Sequence, residues 1–141
     1  MKRVIISIFI LILSYCIYCI CPDFTFTKHQ IGDCGTLTVV NYYSIFDPYK
    51  SRSYFIPGEY KSFRLPKDCF YIYYHPGILN GYQVLCSCRD GKIVITNAFG
   101  VIKMNDQVIE NYSSDRIILE RVSGSKYDEL LERGECVLLK K

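Results

Sequence analysis

The sequence predicts a mainly β protein: an antiparallel β-sandwich or small barrel of seven to eight short strands, stapled by disulfides, with one short helix near the C-terminus. Three observations carry this. Short runs rich in β-branched and aromatic residues alternate with turn pairs at roughly 8–12-residue spacing, as in small sandwiches and barrels. Eight cysteines occur in 141 residues, in a chain that opens like a secretory protein. Only one stretch carries both the start and the stop signals of a helix.

The opening sets the compartment. Lys2 and Arg3 precede an apolar run from Val4 to Leu13, and the exit reads Ser14-Tyr15-Cys16-Ile17-Tyr18-Cys19-Ile20-Cys21. A basic start, a short apolar core and a distinct exit form a secretory signal. The protein is therefore expected to be secreted or in the endoplasmic-reticulum lumen, with residues 1–19 as signal and 20–141 as one β domain. Cleavage after Cys19 leaves an even set, Cys21, Cys34, Cys69, Cys86, Cys88 and Cys136. In an oxidising compartment these are expected to form disulfides, and sequence does not choose their pairing. Cleavage after Cys16 leaves an odd thiol, and cleavage after Cys21 puts Pro22 first. Left uncut, Val4 to Cys21 reaches the length of a bilayer span and anchors the domain, with Lys2 and Arg3 holding the N-terminus in the cytosol. The membrane enters only through this segment.

The strands follow in order. Thr36 to Phe46 is β-branched and aromatic and stops at Asp47-Pro48. Tyr54 to Ile56 runs into Pro57-Gly58, and Tyr60 to Leu65 alternates beyond it, which predicts a hairpin. Cys69 to Tyr74 is a continuous aromatic run, the mark of a strand buried on both faces. Tyr82 to Cys88 and Lys92 to Thr96 flank Asp90-Gly91, a strong hairpin signal. Gly100 to Met104 and Gln107 to Ile109 form another pair around Asn105-Asp106, and Arg116 to Val122 is the last long strand. The helix is Lys126 to Arg133, with Ser125 as its cap, Gly134 at its stop and Tyr127, Leu130 and Leu131 on its buried side. Cys136 to Leu139 closes the domain, with Cys136 as a staple.

Charge and motifs exclude several functions. The net charge of +3 falls to about +1 once Lys2 and Arg3 are removed, so no electrostatic term favours nucleic acid. Cys86-Ser87-Cys88 puts two thiols on one strand face, but zinc sites favour C-x₂-C pairs with histidine, and redox sites favour C-x-x-C. His29 and His75 are the only histidines, and nothing in their spacing joins them into an acid–base pair. With no catalytic motif, the chain reads as a non-enzyme without cofactor or metal. Asn111-Tyr112-Ser113 is a glycosylation sequon in a predicted loop. The predicted hairpin carries Tyr54, Phe55, Tyr60 and Phe63 with Arg52 and Arg64 at its rim, the residue types that anchor protein–protein contacts.

The cysteine-studded exit (CIYCIC), the Gly32-Asp33-Cys34 turn and Tyr82 to Thr96 (YQVLCSCRDGKIVIT) together resemble the small Ig-like accessory proteins of coronaviruses. The resemblance covers about half the chain. It implies an Ig-like sandwich and a secreted or lumenal immune modulator that binds a host protein. It also implies that Cys21 and Cys34 tie the N-terminal part to Cys69 and to one of Cys86 or Cys88. The C-x-C pair, the C-terminal helix and Cys136 depart from it. The other reading is an N-terminally anchored structural ectodomain of an entry or assembly complex.

Overall fold

The computed structural model describes residues 2–20, 23–43, 51–62, 64, 69–73 and 82–140. Two helices and eleven strands lie along them. In order they are α1 (Lys2–Ile20), β1 (Asp23–Gln30), β2 (Thr36–Tyr43), β3 (Arg52–Pro57), β4 (Tyr71–Tyr73), β5 (Gln83–Arg89) and β6 (Lys92–Asn97). Then come β7 (Val101–Met104), β8 (Gln107–Val108), β9 (Tyr112–Ser113), β10 (Ile117–Arg121), α2 (Gly124–Arg133) and β11 (Val137–Lys140).

The strands form two sheets, ordered β1-β2-β3-β4-β7-β8 and β11-β5-β6-β10-β9. Every pair is antiparallel except β6 with β10. That exception follows from the path of the chain. It leaves the second sheet after β6, adds β7 and β8 to the first sheet, and returns as β9 and β10, a crossover of the kind a parallel pair requires. The turn residues fit the tight hairpins. Asp90 and Gly91 have φ of 52° and 74°, and Asn105 and Asp106 have 50° and 62°. Two successive left-handed residues twist a two-residue loop to match its strands.

One core lies between the sheets. Leu37, Val39, Phe55, Ile72 and Ile102 come from the first sheet, and Val84, Cys86, Ile93, Ile95, Ile117, Leu119 and Leu139 from the second. Period-two alternation selects these residues from each strand. The structure is thus mainly β in two packed, antiparallel-rich layers, as the sequence predicts at that level.

Among the described residues the predicted hairpin after Ile56 does not form. β3 pairs with β2 and β4, and the chain beyond it forms no strand at residues 58–62. Gly58, at φ +95°, turns the chain; its N–H donates to the Thr36 carbonyl at 2.6 Å, and its carbonyl accepts from Thr38 Oγ1 at 2.6 Å. β1 was missed by sequence reading, although its Phe-Thr-Phe-Thr alternation is strand-like. The α2 cap is Ser123 rather than Ser125. Ser123 has the extended backbone of a cap and accepts from the Lys126 N–H, while Ser125 lies inside the helix. Gly134 closes the helix in the left-handed conformation (φ 67°), as predicted. Tyr127 is buried beneath it, but Leu131 is 38% exposed.

Among the described cysteines, Cys34 and Cys88 form a disulfide with a Cα–Cα distance of 5.5 Å. It ties the turn between β1 and β2 to β5, and so joins the two sheets. In chain-entropy terms, a 54-residue separation gives about 4 kcal/mol of stabilisation. Cys86 and Cys136 are thiols, contrary to the expectation that both form disulfides. The register explains why they do not bond to each other. Val137 pairs with Cys86, so Cys136 falls level with Ser87, whose side chain lies on the opposite face of β5. Burial pushes the Cys86 thiol up to about 12. Cys69 is half-buried against the outer face of the first sheet, and Cys21 lies outside the described residues.

α1 stands apart in character. From Val4 to Ile17 its large apolar side chains are each more than half exposed. Among the described residues no helix is long and apolar enough to cross a membrane. The apolar part of α1, Val4 to Ile20, extends about 26 Å at 1.5 Å per residue, against a hydrocarbon core of about 30 Å.

Candidate protein-binding face

The outer face of the first sheet carries a second apolar cluster. Alternation sends Val40 and Tyr42 of β2, Arg52, Tyr54 and Ile56 of β3, and Tyr71 and Tyr73 of β4 away from the core. The register arranges them in two rows across the sheet. One runs Phe26, Val40, Tyr54, Tyr71, Lys103; the other runs Phe24, Tyr42, Arg52, Tyr73, Val101. Rings meet along and between the rows. Phe24 lies edge-on to Tyr42 at 5.3 Å and stacks with Phe26 at 6.5 Å, and Tyr54 meets Tyr71 at 5.2 Å. Cross-strand aromatic pairs of this kind stabilise a sheet locally.

Cations sit on the rings. Arg52 Cζ lies 4.6 Å from the centre of the Tyr71 ring, and Lys103 Nζ lies 5.5 Å from that of Tyr73. Asp106, in the β7–β8 turn, accepts from the Tyr71 hydroxyl at 2.7 Å and lies 3.7 Å from Arg52 Nη2. Two strands, β3 and β4, and the β7–β8 turn are thereby clamped at one end of the sheet. Burial pushes Tyr71 up to about 12, and the hydrogen bond to Asp106 adds to this. The same hydrogen bond, then the Arg52 charge, holds Asp106 below the usual carboxylate range. Burial disfavours the Arg52 charge, but the hydrogen bond with Tyr54 and the attraction of Tyr71 and Asp106 outweigh it and raise its pKa. The guanidinium therefore stays charged at the rim.

A charged border completes the face. Lys28 Nζ lies 3.1 Å from Glu59, and Lys61 Nζ lies 3.7 Å from it on the other side. The hydrogen bond and charge of Lys28, with Lys61, lower the Glu59 pKa. Being exposed, these pairs contribute specificity more than stability.

The six residues singled out for partner binding divide. Arg52, Tyr54 and Tyr60 lie on or against this face. Tyr60 is half-buried; its hydroxyl donates to the Arg64 carbonyl and its N–H donates to Thr38 Oγ1 at 3.2 Å. Arg64 is exposed. Tyr54 is only 5% exposed, so it supports the face from below. Phe55 is a correction. It is 1% exposed in the core, stacked on Phe70 at 6.0 Å and edge-on to Tyr82 at 5.4 Å, because it points the opposite way from Tyr54. Phe63 lies outside the described residues. Sequence reading missed Phe24, Phe26, Tyr71, Tyr73 and Asp106. The aromatic run from Cys69 to Tyr74 signalled two of them, but the clamp joins positions 35 or more residues apart and has no local signal.

Other expected features are placed as follows. Asn111 is exposed immediately before β9. His29 lies on β1, and His75 lies outside the described residues. Among the described residues no group of three His, Cys, Asp or Glu side chains could hold a metal ion. A pocket of about 460 Å³ opens to solvent at one side of the α2 contact with the second sheet, lined in part by Ser87, Arg89, Glu120, Lys126 and Cys136. Arg89 and Glu120 pair across one side of it at 2.8 Å. Burial raises the Cys136 thiol pKa despite a hydrogen bond with Ser87, so the group is protonated at neutral pH and a poor nucleophile. Comparison with known protein families, curated proteins and solved structures finds no match to this chain.

Proposed function

We propose that the chain is a secreted or endoplasmic-reticulum-lumenal glycoprotein that acts by binding another protein through the outer face of its first sheet. The observation that carries this reading is the pair of aromatic rows capped by Arg52 and Lys103 and bordered by Lys28, Glu59 and Lys61. Rings with an arginine at the rim are the chemistry of interface anchors, and the surrounding charges set orientation. The Cys34–Cys88 disulfide supports an oxidising compartment, and exposed Asn111 is the glycan acceptor there. A viral accessory role in modulating host immunity rests on the resemblance of the cysteine pattern and of residues 82–96. The Ig-like reading extends to two packed sheets and not to their connectivity. β1 to β4 run as a meander in one sheet, whereas immunoglobulin domains distribute their strands between sheets by Greek-key connections.

The second reading, an anchored ectodomain, is favoured by α1. Its apolar side chains from Val4 to Ile17 are exposed, a surface that water disfavours by about 1.5–3 kcal/mol per large side chain. Either the helix is removed or lipid covers it.

Two measurements test the proposal. Intact mass of the protein in expressing-cell medium is expected to give a chain starting at Ile20 and carrying one glycan. Full-length protein confined to membranes would select the anchored reading instead. A photoreactive residue in place of Arg64 is expected to cross-link a partner protein, and one in place of exposed Asp128 on α2 is not. Cross-linking from Asp128 alone would overturn the choice of face.

A further inference from the structure

The outer face of the second sheet is only partly covered by α2. At its β9 edge lies a shallow, open groove of about 350 Å³. Asn111 and Ser113 line it on one side and Ile118 and Glu120 on the other, and no described residue of α2 lines it. The register builds this groove. Ser113 pairs with Ile118 and Tyr112 with Leu119. Tyr112 turns inward, where its ring lies 5.9 Å from Phe70, so Ser113 and Ile118 face out. Asn111, one residue ahead of Tyr112, is exposed on that outer side. The hairpin behind the groove is fixed. The Ser114 N–H donates to the Ile117 carbonyl at 2.9 Å, and Ser114 Oγ accepts from the Ile117 N–H at 3.3 Å. The groove thus holds both the amide and the hydroxyl of the one glycosylation sequon in the sequence.

We propose that this groove seats the N-acetylglucosamine joined to Asn111, so that the first sugar packs as part of the fold and covers the β9 edge. The seat presupposes the glycan inferred above and gives its first sugar a position and a structural role.

Chemistry and tether both fit. N-acetylglucosamine has an apolar ring face and an acetyl methyl, set among hydroxyls and an amide. Half-buried Ile118 offers the apolar contact, and Glu120 offers a carboxylate that accepts from sugar hydroxyls. Glu120 is itself held by Arg89 at 2.8 Å. A groove this open would hold free sugar weakly. The bond to Asn111 makes the contact intramolecular, with an effective concentration in the millimolar range or above. β9 is a two-residue edge strand, and no described strand pairs beyond it. A bulky polar group seated there also blocks edge-to-edge pairing with other chains.

The test uses protein purified from cells that attach oligomannose glycans. Three forms are compared: the full glycan, the glycan trimmed by an endoglycosidase to one N-acetylglucosamine, and the sugar removed by an amidase. Ser113→Ala, which keeps Asn111 but lacks the sequon, gives a sugar-free chain without the aspartate that the amidase leaves. Thermal melting is expected to give the first two forms the same midpoint, and both sugar-free chains one lower by about 4 °C. Ile118→Thr is expected to abolish the difference between glycosylated and sugar-free forms. In the single-sugar protein, NMR is expected to show an Overhauser contact between the acetyl methyl and the Ile118 methyls, a readout that needs no variant. Single-sugar and sugar-free forms that melt together, a difference that persists in Ile118→Thr, or no acetyl contact at Ile118 would each overturn the seat and leave the glycan in place. A purified chain with no glycan by intact mass would overturn the seat and the glycoprotein reading together.

Discussion

The two sheets share one core and finish their outer faces in different ways. On the second sheet the chain covers its own surface. α2 lies over β5, β6 and β10, Tyr127 is buried to 1%, and Phe99 meets it edge-on at 5.4 Å. On the first sheet the outer face is built from tyrosines and phenylalanines with Arg52 and Lys103 on the rings, and Phe24, Phe26, Tyr42 and Tyr73 are only half-buried. Apolar surface that a helix covers stabilises the fold. Apolar surface left at the edge of water, among cations, is what a partner can use. One layer is therefore finished by a helix, and the other carries the face proposed for contact.

The strongest way to break this arrangement is to separate the layers. Cys88→Ser is expected to cost about 4 kcal/mol in denaturant unfolding under oxidising conditions, because the bridge closes a 54-residue separation across the two sheets. Cys86→Ser has no disulfide to lose, and unfolding without reductant is expected to release the Cys86 and Cys136 thiols to alkylation. The covered layer is next. Tyr127→Ala is expected to cost about 3 kcal/mol through the cavity it leaves. Tyr127→Phe is expected to be close to neutral, because the Tyr127 hydroxyl is buried with no well-formed hydrogen bond among the described residues, Gln83 being its polar neighbour. Thermal melting of the two variants separates packing from the polar group.

The smallest effect belongs to the clamp on the contact layer. Tyr71→Phe removes the hydrogen bond to Asp106 and is expected to cost about 1 kcal/mol at neutral pH. Because the Asp106 pKa is lowered in the folded state, its contribution is present above the ordinary carboxylate range and disappears as pH falls through the lowered value. The difference between wild type and Tyr71→Phe is therefore expected to shrink in acid. Tyr71 titrates at about 12, above its unfolded value, so the phenol contribution holds up to about pH 10 and is lost as pH rises through 12. Denaturant unfolding at three pH values checks both directions.

Sequence and structure agree where the information is local. The Asp90-Gly91 and Asn105-Asp106 turns, the strands beside them and the Gly134 helix stop follow from neighbouring residues alone. The hairpin after Ile56 failed because Pro57-Gly58 reports a turn but not its destination; β3 finds β2 and β4 instead. Phe55 was misplaced for a related reason. Adjacent residues in a strand face opposite ways, and without a register the buried one cannot be told from its neighbour. The cysteines show the same limit, since Cys86 and Cys136 are neighbours across two strands but lie on opposite faces. Of the candidate face, Arg52, Tyr54 and Tyr60 were legible as types, while the rows and the Asp106 clamp exist only once five strands have aligned.

The measurement that tests the central claim most directly is binding of the labelled protein to partner-bearing cells, with each outer face altered in turn. Tyr60→Ala with Arg64→Glu alters the first sheet's face, and Lys126→Glu with Arg133→Glu alters α2 over the second. The account predicts at least about tenfold weaker binding for the first pair and unchanged binding for the second. Loss of binding in the α2 pair, with the first pair unaffected, would contradict it.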